Sequence, residues 1–379
     1  MNEGLPLKSW QHLFFSHDRT MTSFTLGKNF HIRRIDELTA EEVAVWDQLL
    51  LTDDLRRAFM SYRYARVVAE TGGDVVVLVL YDIHTPCGFL PLQRIAGLRG
   101  KVGVFEPVGD VMTDYFGLVA ADGVHITIEK LLAATHGRVN AVLFSHLDET
   151  QLRFGLVGEE QRTGLRTWFG TSLGTSLETP ASDYWVNLRK SDKKLVYDTE
   201  RREKKLINEI GPVTFEWTSQ NPASDMAWLI ESKKAQYTRT GKAQAPLFDS
   251  RKVALLNRLL QAQEGNCQGV LSTLRCGEEI IAVHFGLRCQ DMLHVWFPVY
   301  NPKHSGYSPG RILFKHLFSA AAADGIQVFD RGEGDTQAKR DFANETHTFA
   351  RGLWHVAGWR GLLARGVLSV AWRMSRWRS

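Results

Sequence analysis

The order of strands and turns between residues 269 and 330 restricts the fold of this chain more than any other feature of its sequence. Gly269 to Arg275, Ile280 to Arg288 and Leu293 to Tyr300 are three apolar runs, separated by Gly277-Glu278-Glu279 and by Gln290-Asp291. Turn residues at such short intervals predict a three-stranded antiparallel meander. A loop, a helix from Pro309 to about Ala323, a stop at Asp324-Gly325 and a strand from Ile326 to Asp330 come next. Strand, helix and strand in that order make a right-handed parallel crossover. An earlier stretch follows a similar order. A strand from His31 leads into a helix whose start is marked by Thr39 and Glu42, a capping box. Val75 to Tyr81 reads as a buried strand with Gly88 to Arg94 as its hairpin partner, Val124 to His136 as a segment that ends at Gly137, and Val139 to Ser145 as another buried strand. The expectation is an α/β unit that occurs twice.

A length of 379 residues fits two domains of moderate size. The boundaries expected are a loose leader over 1–28, an N-terminal domain over 29–182, a C-terminal domain over 183–352 and a basic helix over 353–379. Residues 158–182, rich in Gly, Thr and Ser, read as a connection or an edge hairpin. The charge-laced segment 188–210 reads as one connecting helix, either a solvated face between domains or a binder of anionic substrate. With 44% hydrophobic and 23% charged residues the chain is an ordinary globular one. The longest apolar run is the seven residues from Val75 to Tyr81, far short of the roughly 18 of a spanning helix. No secretory pattern is visible at the N-terminus, so a cytoplasmic location is expected. Cys87, Cys267, Cys276 and Cys289 have neither zinc nor disulfide spacing and are expected as reduced thiols. The net charge of +4 hides six arginines and no acid within 351–379, which leaves the body near neutrality and without a nucleic-acid footprint.

The junction from Tyr300 to Arg311 points to chemistry. Ser308 is placed to cap a helix and Pro309 to start it. Gly306 and Gly310 allow a close approach to the backbone, and Lys303, Tyr307 and Arg311 flank it. Free N–H groups at such a helix start make a cradle for phosphate or pyrophosphate. On the strand before it, alternation puts Ala282, His284 and Gly286 on one face, so His284 is a candidate general base or hydrogen-bond partner with space around it. His294, Trp296 and Tyr300 are expected to share a face and to form an aromatic wall beside it. At the end of the last strand stand Asp330, Glu333 and Asp335, followed by Lys339. Ligands of open α/β sheets bind beyond the carboxyl ends of strands. Asp330 or Glu333 is a candidate base, and Lys339 a partner for phosphate or carboxylate. A Gly-rich turn stapled by acid–base pairs would explain the same residues. No metal is expected, because no second ligand cluster is evident.

Residues 306–313 (Gly-Tyr-Ser-Pro-Gly-Arg-Ile-Leu), 282–287 and 329–335 with Lys339 together resemble the CelD/BcsL-like acetyltransferase family. That family is a branch of the GNAT superfamily linked to bacterial cellulose and exopolysaccharide biosynthesis. Val108-Gly109-Asp110 with Thr113-Asp114-Tyr115 resembles its N-terminal half. The resemblance covers roughly residues 30 to 355 and is strongest over 269–342. It implies two tandem GNAT-like folds, with mixed central sheets flanked by helices, as in the FemABX aminoacyltransferases. It also implies acyl-coenzyme A, in the simplest case acetyl-coenzyme A, as donor, with 303–311 as the pyrophosphate loop. The acceptor would be an amine or hydroxyl of a sugar or polysaccharide precursor. Ala338 stands before Lys339 where members of the family often have tyrosine, so no acid role is carried over to that position. Two rival readings are an aminoacyl transfer from charged tRNA, which demands a broad basic groove, and a non-catalytic scaffold of a polysaccharide machine. The Trp- and Arg-rich segment 353–378 is expected either to lie in the interface of an anionic membrane or to pack on the C-terminal domain.

Overall fold

The computed structural model describes residues 28–52, 55–156, 168–176, 184–242, 245–321, 323–334 and 336–376. The expected leader therefore lies outside the described residues. The N-terminal half contributes strands β1 (Lys28–Arg34), β2 (Val75–Asp82), β3 (Thr85–Arg94), β4 (Val104–Glu106), β5 (Val119–Ala120), β6 (Ala141–Asp148) and β7 (Trp168–Ser176). The C-terminal half contributes β8 (Val213–Glu216), β9 (Gln268–Cys276), β10 (Glu279–Cys289), β11 (Met292–Tyr300), β12 (Val328–Glu333) and β13 (Glu345–His355). They join into one sheet in the order β1-β2-β3-β4-β6-β13-β7-β12-β11-β10-β9-β8, with β5 beside β3.

Local signals were sound where the contacts they rest on are short in sequence. Thr39 Oγ1 accepts from the Glu42 N–H at 3.2 Å while Glu42 accepts from the Thr39 N–H at 2.6 Å, and this reciprocal pair starts the helix Ala40–Leu49. The hairpin β2–β3 and the meander β9–β10–β11 are antiparallel throughout. The helix Pro309–Ala321 returns the chain so that β12 runs parallel to β11. In the N-terminal half β4 and β6 are parallel in the same way.

The structure corrects four expectations. Residues 168–176 form an inner strand between β12 and β13, not an edge hairpin. Residues 353–355 end the strand β13, and the helix starts only at Trp359. That helix packs through Ala364 on Ile95, Val104 and Ala141, which belong to the N-terminal half rather than to the C-terminal one. The charged segment is two helices, Tyr184–Ser191 and Lys193–Glu209, with Asp192 capping the second through the Leu195 N–H.

The halves exchange strands. β7 pairs with β12, and β13 pairs with β6, so each half's sheet is completed by the other's last strand. Trp354 on β13 is accordingly buried against Phe116 and Phe144 of the N-terminal half. One apolar cluster extends from Trp46, Tyr64 and Phe89 to Leu229, Leu256 and Phe285, so the two halves share a core. A second cluster lies on the opposite face of the C-terminal sheet, under Ile312, Leu313 and Leu317.

Candidate active site

β11 and β12 pair only from Met292 to His294 against Val328 to Asp330. Beyond that point β11 continues to Tyr300 with no strand beside it on this side among the described residues, so the sheet forks. The N-terminal half has the corresponding fork after Phe105 and Val142, but there the chain closes it. Phe116 donates to the His146 carbonyl at 3.0 Å and accepts from the Asp148 N–H at 3.3 Å. Among the described residues a crevice between parallel strands is therefore left in the C-terminal half, and such crevices are where ligands of open α/β sheets bind.

The turn after β11 lies at that fork. Residues Pro302–Tyr307 form a tight 3-10 turn, and Ser308 takes a left-handed conformation, φ 54° and ψ 54°, before the helix starts at Pro309. The Ser308 carbonyl accepts from Arg311 and Ile312, so it sits at the capping position by its backbone, while its hydroxyl has no partner among the described residues. A Cβ at Gly306 would meet nothing within 4 Å, and one at Gly310 only Tyr300 Cδ1 at 4.0 Å. Neither glycine has a positive φ. Neither packing nor backbone conformation needs them, and what they keep open is space above a helix start.

The cations of this turn are shared with acids, which the sequence did not reveal. Lys303 reaches Glu279 at 3.2 Å, and Arg311 reaches Asp341 at 2.7 Å and Asp198 at 3.5 Å. Lys303 is mostly exposed, so exchanging its carboxylate for a phosphate would cost about 1 kcal/mol or less. The helix Lys193–Glu209 anchors the turn: Arg202 donates to the Gly306 carbonyl at 2.7 Å and Tyr307 donates to Glu209 at 2.6 Å. Its charges are structural ties to this loop rather than only a solvated face.

His284 and His294 point to opposite sides of the sheet. His294 lies across from Leu287, and alternation places His284 with Gly286 on the other face. A Cβ on Gly286 would come within 2.7 Å of His284 Nε2 and 2.3 Å of the His294 carbonyl, so the space expected around His284 is filled by its own ring and by β11. His284 is fully buried, both its ring nitrogens lack partners among the described residues, and burial together with the nearby His294 charge lowers its pKa to about 3. A ring this weakly basic is a poor proton acceptor at neutral pH. Trp296 packs against Phe59, Phe285 and Phe297 as part of the shared core, apart from His284, while Tyr300 is largely exposed.

His294 instead sits at the junction of the two halves. Its Nδ1 is 3.0 Å from Asp330 Oδ2 and its Nε2 is 2.9 Å from Asp114 Oδ2. Burial alone would lower its pKa, but the Asp330 charge and the bonds to both carboxylates outweigh it and raise the value to about 9. The ring is an imidazolium, with both nitrogens donating. Burial pushes the Asp330 carboxyl upward, yet His294 and Arg57 hold it far below the usual carboxylate range. Asp330 also accepts from the Gly332 N–H at 2.9 Å. Arg57 is buried beside them, with Asp148 at 3.5 Å and the Tyr115 ring 4.6 Å from its guanidinium carbon. A cavity of about 10 Å³, room for a single water, lies among Arg57, Tyr115, His294 and Asp330. Asp330 is thus a fixed counter-ion, and Asp114 is the member of the network that reaches the surface.

Glu333, three residues past the fork, is half-exposed. His146 Nε2 lies 3.0 Å from its Oε2, and Arg351 pairs with its other oxygen. The His146 bond lowers its pKa first, against the effect of burial, and Arg351 adds to the lowering. His146 adopts φ 58°, a left-handed conformation that is costly for a residue other than glycine, and its Nδ1 is buried without a partner among the described residues. Lys339 donates to the carbonyls of Gly332 and Glu333 at 2.9 and 2.6 Å, and Arg331 donates to those of Ala338 and Lys339 at 3.0 Å. Lys339 therefore staples the turn through two backbone carbonyls. Asp335 lies outside the described residues. Arg57, Asp114, Tyr115, His146 and Arg351 were missed as site residues. Only Asp114-Tyr115 carried a signal in the sequence, as part of the N-terminal resemblance.

Residues 193–340 match the family model described as Acetyltransferase (GNAT) domain. That span holds the anchoring helix, the fork, the turn and Glu333. No curated protein matches the chain. Among solved structures, FemX is similar with a TM-score of 0.55 at 9% identity, covering 86% of this chain and 97% of that one. The C-terminal domain of a protein described as a lysylphosphatidylglycerol synthetase from Agrobacterium fabrum has a TM-score of 0.50 at 12% identity, covering 88% and 96%. A conserved protein of unknown function from Bacteroides thetaiotaomicron has a TM-score of 0.51 at 12% identity, covering 82% and 97%. The chain thus has a GNAT-type acyltransferase fold, mixed α/β and present twice in tandem.

Proposed function

We propose that the protein is an acyltransferase that moves an acyl group, in the simplest case acetyl, from a coenzyme A thioester to an amine or hydroxyl acceptor. The observation that carries this reading is the pair Gly306 and Gly310, in the turn before the helix Pro309–Ala321 and in its first turn, which keep space open beside the fork of β11 and β12. The Gly310 N–H, without a partner among the described residues, suits the pyrophosphate of the donor together with the side chains of Lys303 and Arg311. The pantetheine arm would then lie along the unpaired edge of β11.

In this reading the acceptor nitrogen or oxygen attacks the thioester carbonyl, the C–S bond breaks, and the thiolate leaves and takes up a proton. The acceptor's own proton goes to the Glu333 carboxylate, the half-exposed acid beside the fork. His146, donating from Nε2, and Arg351 hold that carboxylate in place and ionised. Holding donor and acceptor in one complex supplies much of the rate. The resemblance of residues 282–287, 306–313 and 329–335 supports a sugar or polysaccharide precursor as acceptor.

The test is thermal stability against coenzyme A and acetyl-coenzyme A, with Gly310→Glu as control. A ligand at 100 times its dissociation constant adds about 2.7 kcal/mol. Stabilisation of the native chain and its loss in the control are expected. A second reading, aminoacyl transfer from charged tRNA, is favoured by the likeness to FemX along nearly the whole of both chains. It predicts no response to coenzyme A and a response to aminoacyl-tRNA. A scaffold without activity predicts neither.

A further inference from the structure

The first turns of the last helix (Trp359–Arg376), residues 359–363, leave large apolar side chains outside the core. A surface helix of a globular protein turns its apolar stripe inward. Here Gly361 and Ala364 make the closest contacts, and Leu368 packs half-buried beside them. Ala364 is fully buried, and a Cβ on Gly361 would lie 1.9 Å from the Val356 carbonyl, so these two set a close contact that fixes how the helix is rotated. The large apolar residues of the first turns therefore point away: Trp359 is 70% exposed, Leu362 63% and Leu363 47%. The short helix Leu98–Lys101 packs beside it and adds Leu98, 64% exposed, with Arg99 and Lys101. Arg360, over the Trp359 ring, and Arg365 are exposed beside these residues. No acidic residue occurs in the sequence after Glu345.

We infer that this face docks on the surface of an anionic bilayer, with Trp359, Leu362, Leu363 and Leu98 entering the headgroup region and the arginines meeting lipid phosphates. An amphipathic helix with tryptophan and leucine on one side and basic residues beside them binds in this way, by apolar burial together with attraction to anionic lipid. No helix among the described residues is long and apolar enough to cross a membrane, so the contact is peripheral. A second copy of the chain fits the face less well, because it would set arginine against arginine.

The full chain is tested by co-sedimentation with vesicles of equal parts phosphatidylglycerol and phosphatidylcholine, and with vesicles of phosphatidylcholine alone. Binding to the anionic vesicles only, weakened by high salt, is expected. Leu362→Glu with Leu363→Glu, both at exposed positions, should lower that binding by tenfold or more and leave the melting temperature unchanged. Arg360→Gln with Arg365→Gln is the companion variant should the first misfold, and it should lower binding and its salt dependence. Equal binding by native chain and variants overturns the inference. So does a native chain that ignores anionic vesicles and forms a dimer that the leucine variant dissociates.

Discussion

The charge on His294 sets a measurable dependence of stability on pH. Its ring rises from 6.5 to about 9 in the folded protein because two carboxylates outweigh the cost of burial. A group whose pKa is raised by folding contributes stability that is fully present below its unfolded value and is lost as pH climbs through its folded one. The contribution is therefore complete below about pH 6.5 and gone above about pH 9, and its size is about 3 kcal/mol. The lowered pKa of Asp330 describes the same ion pair from its other partner and is not added to this figure. Urea denaturation from pH 6 to 10 of the native chain and of His294→Gln isolates the effect, since the difference cancels the other groups. The native chain should lose about 3 kcal/mol more than the variant across that window. Parallel pH curves would refute the paired imidazolium. If the variant does not fold, titration of the ring in the native chain by NMR decides, with a midpoint near its usual value as the refuting result.

Glu333→Gln tests the proposed base, because it keeps the shape of the side chain and removes its charge. Turnover should fall by on the order of 100-fold with little change in melting temperature, and an unchanged rate would remove Glu333 from the chemistry. Gly332→Ala forces a Cβ to within 2.9 Å of Asp114 Oδ2 at a φ of +62°. It should cost about 1–2 kcal/mol in backbone strain and lower the titration midpoint of His294 as Asp114 is displaced. Trp354→Ala removes a buried ring from the strand that joins the halves, and a loss of about 3–5 kcal/mol in chemical denaturation is expected.

What the sequence determined by itself is what short-range contacts decide. The Thr39–Glu42 box starts a helix because its two bonds span three residues. The meander β9–β10–β11 follows from turns that close within a few residues, and the parallel return of β12 from the handedness of strand–helix–strand connections. The junction at 300–311 was legible for the same reason, since glycine, proline and serine act on their own backbone. Tertiary structure decided the rest. Alternation along one strand placed His284 with Gly286, but no local rule shows that the neighbouring histidine faces the other way or that β11 fills the space. Lys303, Arg311 and Lys339 were recognisable as cations, yet their partners Glu279, Asp198, Asp341 and two backbone carbonyls come from packing. The site itself is assembled across the exchanged strands: His294 meets Asp114 from 180 residues away and Glu333 meets His146 from 187. A charged side chain carries no periodicity that names its counter-ion, and burial, which turns such a pair from a surface contact into a fixed ion network, exists only once both halves have folded against each other.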